Sequence, residues 1–117
     1  MYDERTSGFH IISDLWGCKP TYLEKEARLK ELLLEAARQG DFHVVDHCFH
    51  QFNPRGATGV VLLELSHISA HSWPELDFIA IDIYSCGSRA KARKAMDYLL
   101  KALKPKRIQM REVERFR

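Results

Sequence analysis

Apolar positions along the chain recur with two periods, and the switches between them predict its elements. Residues 9–15 (FHIISDL), 42–52, 58–65 (TGVVLLEL at its core), 78–85 (FIAIDIYS) and 107–113 are short runs rich in β-branched and aromatic residues, expected as strands. Between them the period lengthens. Leu29, Leu32, Leu33, Ala36 and Ala37 return at helical spacing, and Ala92, Ala95, Met96, Leu99 and Leu103 do the same over 88–103.

Punctuation agrees with that division. Gly17 and Pro20 end the first strand, and Thr21 with Glu24 three residues on has the form of a capping box for a helix running to Gln39, which Gly40 ends. Asn53-Pro54-Arg55-Gly56 has the composition of a turn, and Gly87 closes the 78–85 run. Strands in hairpin-like succession with two helices predict an α+β fold, a two-layer α/β sandwich with a mainly antiparallel sheet and both helices on one face. The 117 residues suit one domain, 1–117, and a sheet covered on one side leaves room for a second subunit, so a homodimer is expected.

Composition excludes several classes. The chain is 45% hydrophobic and 29% charged, a mixture that folds. No apolar run is long enough to cross a bilayer, and the start MYDERTSG is too polar for a signal peptide, so a cytoplasmic protein with no membrane partner is expected. Cys18, Cys48 and Cys86 are an odd number without CxxC spacing, which argues for free thiols. Residues 89–107 carry eight lysines and arginines against Asp97 alone. A wet helix face explains that run more simply than a phosphate-binding stripe, so no nucleic-acid partner is expected.

The chemistry concentrates in residues 66–75 (SHISAHSWPE), directly after a buried run. His67 and His71 are four apart, but Pro74 and the intervening residues disfavour a helix. In extended chain that spacing is about 13 Å, too far for one metal ion. His43, His47 and His50 have no carboxylate at a zincin spacing, and Leu65-Ser66-His67 is not a nucleophile elbow. Taken singly, each histidine reads as a satisfied polar residue, Cys86 as a small buried side chain, and Phe52 and Trp73 equally well as core.

As a whole the segment resembles the short prokaryotic S-adenosylmethionine decarboxylase proenzymes. The resemblance is carried by SHISAHSWPE, AIDIYSCG at 80–87, Phe49-His50-Gln51-Phe52, GATGVV at 56–61 and GFHIISDLWG at 8–17. It implies a chain that cuts itself between Leu65 and Ser66, leaving a β-subunit of 1–65 and an α-subunit of 66–117. Ser66 then becomes a pyruvoyl group, a carbonyl that forms a Schiff base with the substrate amine and takes up electrons when CO2 departs. Neither metal nor pyridoxal phosphate is expected. By the same resemblance His71 and the Thr58 hydroxyl serve processing, and Cys86 returns a proton to the substrate carbon. Phe52 and Trp73 would sandwich the purine, and Glu75 would take the ribose hydroxyls.

The implied function is decarboxylation of S-adenosylmethionine for spermidine and polyamine synthesis. One departure stands out: the residue before the processing serine is usually glutamate, and here it is Leu65, with Glu64 one position early. A one-residue shift turns a side chain to the opposite face of a strand, so Glu64 does not replace it. Two alternatives follow, an arginine or ornithine decarboxylase on the same scaffold, and an unprocessed relative that binds without catalysing.

Overall fold

A computed structural model describes residues 7–115; the polar start read against a signal peptide lies, at residues 1–6, outside them. The strands are β1 (Gly8–Trp16), β2 (Val44–Gln51), β3 (Ala57–Leu63), β4 (His67–Trp73), β5 (Phe78–Cys86) and β6 (Arg107–Arg115), with helices α1 (Glu26–Gln39) and α2 (Arg89–Leu103). They form one antiparallel sheet in the order β2-β3-β4-β5-β1-β6. The fold is the expected two-layer α+β sandwich.

Period-two alternation divides the sheet into two faces. Ile11 and Leu15 of β1, Val61 and Leu63 of β3, Ile68 and Ala70 of β4, and Ile79, Ile81 and Ile83 of β5 point to the helices and are buried. The ten apolar positions read at helical spacing are all buried against them. Burying a leucine or isoleucine side chain is worth roughly 1.5–3 kcal/mol, so this layer carries the stability of the fold. The opposite face has no layer over it among the described residues.

Two expectations are corrected. The sheet has six strands rather than five, because residues 67–73 of the polar segment are themselves a strand. Its alternation sets Ile68, Ala70 and Ser72 inward and His67, Ser69, His71 and Trp73 outward, with polar side chains occupying the outer positions. Nor does Thr21 cap α1. Pro20–Tyr22 make a separate 3-10 turn, and α1 begins at Glu26. Its first N–H is capped from across the structure, by Gln51 Oε1 at 2.6 Å. The preceding segment is pinned by tertiary bonds that a local cap cannot outweigh: Ser72 Oγ donates to Leu23 O at 2.7 Å, and Gly56 N donates to Glu24 O at 2.9 Å. Ser88, by contrast, caps α2 as its position suggests, accepting from Lys91 N at 3.2 Å.

The basic run is partly neutralised within the fold. Arg93 forms a forked pair with Glu112 of β6 at 2.8 and 3.1 Å, Arg89 pairs with Glu114, and Lys91 lies over the Phe42 ring. No helix among the described residues is long and apolar enough to cross a membrane.

Candidate active site

Register fixes which side chains share the uncovered face. His50, Thr58, His71, Ala80, Asp14 and Gln109 form one row across the six strands. Cys86 and Gly8 belong to a row at the other end of the strands. The residues singled out for chemistry fall at these two ends.

At the first end, Thr58 Oγ1 and His71 Nδ1 are 2.9 Å apart, cross-strand partners on β3 and β4. That bond fixes the imidazole and leaves Nε2 free to work. The pair lines a cleft of about 310 Å³ with Phe52, Arg55, Ser72, Trp73 and Glu75. Phe52 and Trp73 are 45% and 40% exposed, which settles that neither is a core residue. Trp73 is steadied by Phe78 at 5.4 Å between ring centres, and Phe78 by Trp16 at 5.2 Å. The cleft backs on Gly56, whose φ of +103° and close approach to Ser72 O admit no larger residue without strain. Arg55 is held by Glu24 at 3.5 Å; the sequence offered no signal for it beyond its place in a turn.

At the second end, the β3–β4 hairpin turns through Glu64 and Leu65, closed by Leu63 N donating to Ser66 O at 2.9 Å. Ser66 is half-buried, and its Oγ accepts from Cys86 N at 3.2 Å. Both residues, with Leu65, Glu64 and Lys91, border a cavity of about 170 Å³. The Leu65–Ser66 peptide bond therefore lies in a tight turn beside the thiol that the resemblance pairs with it. That is a fitting place for a backbone-derived carbonyl.

Between the ends lies a row the sequence reading passed over: His67 stacks on Tyr84 at 5.8 Å, His10 meets both rings edge-on, and Asp82 is 3.8 Å from His10 Nε2. Burial first, and then the neighbouring His10, push the His67 imidazole below its ordinary value, while Asp82 opposes them. Period two was the available signal, since residues 84 and 86 must share a face. Among the described residues no group of three or more His, Cys, Asp or Glu side chains is placed to hold a metal ion.

The two-layer sandwich thus carries a serine–cysteine pair at a hairpin and a histidine–threonine pair under an aromatic cleft, and comparison with known proteins gives its class as a carboxy-lyase. The S-adenosylmethionine decarboxylase family profile matches residues 9–116, and the chain belongs to that family. It is 48% identical over 112 residues to S-adenosylmethionine decarboxylase proenzymes of a Sulfurihydrogenibium species and of Persephonella marina, covering 96% of this chain and 84% of each relative. It is likewise similar to the crystal structure of the adenosylmethionine decarboxylase from Aquifex aeolicus. There the TM-score is 0.89 at 42% identity, over 92% of this chain and 89% of that one.

Proposed function

We propose that the protein is a self-processing, pyruvoyl-dependent decarboxylase of S-adenosylmethionine serving spermidine synthesis, and that it works as a homodimer with each active site shared between two copies. The observation that carries this is the separation of the two ends of the uncovered face. Ser66 and His71 are five residues apart, and most of that stretch is the extended strand β4, so their Cα atoms lie about 17 Å apart. Proton transfer needs heavy atoms within about 3 Å. One chain's histidine therefore does not reach its own serine, whereas a second copy resolves the mismatch.

A two-fold axis lying between the sheets and running across the strands sets each sheet's Ser66 end over the other's His71 end. Face-to-face sheets pack about 10 Å apart, within reach of interdigitating side chains. The uncovered face has the surface for such packing, since Ile12, Val60 and Leu62 are exposed on it.

In the shared site, Ser66 Oγ would attack the carbonyl carbon of Leu65 and convert the peptide bond to an ester. Elimination of the Leu65 carboxylate then parts the chain into 1–65 and 66–117, and water replaces nitrogen as ammonia to leave the carbonyl on residue 66. His71 of the partner subunit, oriented by its Thr58, moves the protons. Only the backbone carbonyl of residue 65 takes part, so a leucine there does not block cleavage.

The pyruvoyl carbonyl would supply what no side chain offers, capture of the substrate amine and a sink for the electron pair left by CO2. The chain's own residues do the rest. Cys86 gives a proton to the substrate carbon, Phe52 and Trp73 stack the purine, and Glu75 accepts the ribose hydroxyls. Arginine or ornithine would leave that aromatic cleft without an occupant.

The test is CO2 release from carboxyl-labelled S-adenosylmethionine, together with the denatured mass of the protein. We expect release and two fragments meeting at 65/66, with Ser66→Ala intact and inactive. Release from arginine or ornithine alone would reassign the substrate, and activity from an uncut chain would end the proposal.

A further inference from the structure

Cys86 ends β5, and Tyr84, two residues before it, points to the same uncovered face. Gly8 of β1 is the cross-strand partner of Cys86. The Tyr84 side chain leans over that glycine: a Cβ at position 8 would collide with the phenolic oxygen and meet ring carbons at 2.7 and 2.8 Å. The hydroxyl thereby lies over the residue that faces Cys86 across the strands, on the same side of the sheet as the thiol. The ring is held from several sides, stacked on His67, met edge-on by His10 at 5.7 Å, and approached by the Arg115 guanidinium at 5.8 Å. Burial first, and then the contact with Cys86, raise the phenol above its ordinary value, so it stays protonated where thiols ionise.

A thiol that donates a proton to carbon passes through its thiolate, and a thiolate needs an acid hydrogen bond to be held and aimed. We propose that Tyr84 is a positioning residue for Cys86, its O–H donating to Sγ and steadying the thiolate between proton release and recapture. This rests on the reading of Cys86 as the proton donor. Gly8 has a matching role, as the residue small enough to let the tyrosine lie down on the strand.

Charged and titratable groups face both residues: His10, His67 and Arg115 around the Tyr84 ring, Asp82 beside His10, and Asp41, His43, Glu64 and Lys91 at the cavity that Cys86 borders. The decisive variant leaves all of them in place. Tyr84→Phe removes one oxygen and keeps the ring contacts. Gly8→Ala pushes the hydroxyl away without removing it.

The experiment follows alkylation of Cys86 by iodoacetamide against pH, read on its own peptide by mass spectrometry. A charge-assisted hydrogen bond lost from the thiolate moves that curve up by about one pH unit, roughly tenfold slower labelling on its rising limb. We expect that shift in both Tyr84→Phe and Gly8→Ala, with kcat for S-adenosylmethionine down about tenfold and KM nearly unchanged in Tyr84→Phe. An unmoved alkylation curve in either variant overturns the proposal. Full activity of Cys86→Ala would instead refute the proton-donor role and with it the catalytic purpose given to Tyr84, while the curve still judges the contact.

Discussion

Two inactive variants should rescue each other if the site is shared. Ser66→Ala destroys the cleavage point but keeps an intact Thr58–His71 end. His71→Ala keeps the cleavage point but has no histidine to use. Each homodimer carries two broken sites. In the mixed dimer both substitutions fall together in one site, and the other site combines Ser66 of the His71→Ala chain with His71 of the Ser66→Ala chain. The roughly 17 Å between Ser66 and His71 in one chain makes the outcome all-or-none, because no side-chain rotation spans it. Equal co-expression yields about half mixed dimers, each with one working site of two, so activity should reach about a quarter of wild type. Purification through a different tag on each chain should raise this to about half. The assays are CO2 release and the intact mass of the His71→Ala chain, which should be cut only in the presence of its complement. An uncut His71→Ala chain in doubly tagged dimers would refute the shared site.

Three further outcomes follow from local physics. Cys18 is buried, its Sγ donates to Leu15 O at 3.5 Å, and burial together with Asp77 pushes its thiol up to about 11. At pH 8 iodoacetamide should therefore leave Cys18 untouched until the chain is unfolded; early labelling of Cys18 would contradict its packing. The His67 imidazole is held below its ordinary 6.5, so below that pH the unfolded chain binds more protons than the folded one, and stability falls as pH drops. His67→Gln should flatten the denaturation midpoint below pH 6.5, and an unchanged slope would rule out His67 as its source. Gln51→Ala removes the cap on α1 and bonds from Nε2 to Glu24 O and Gly56 O at 2.8 and 3.0 Å. It should cost about 2 kcal/mol in urea unfolding, against near neutrality if water replaces the amide.

The helical layer was legible because its signal is local and redundant: five apolar positions on each helix repeat every three or four residues, and each is buried. The start of α1 was not, since its cap arrives from Gln51, 25 residues away, and local capping chemistry carries no trace of it. β4 hid because its outward positions are His67, Ser69, His71 and Trp73, a polar set that masks the apolar alternation beneath it. The residue types of the site were visible in the chain, but their division between two ends was not. Five residues are a short distance on a helix and a long one on a strand, so the spacing acquires meaning only once β4 is known to be extended. Tyr84 escaped notice for a related reason: a tyrosine in an apolar run looks like packing until its hydroxyl is found over Gly8.

The strand order has a consequence for a chain severed after Leu65. The first piece would hold β1, β2 and β3, the second β4, β5 and β6, and the order β2-β3-β4-β5-β1-β6 interleaves them. Three of the five seams in the sheet then join different polypeptides, and β1 is wedged between two strands that are not its own. The halves are woven, not stacked. Nothing short of unravelling the sheet would release either one, so the proposed cut would also make folding a one-way event: the intact precursor would assemble as a single thread, and the severed pieces, once dispersed, would have to find each other by collision.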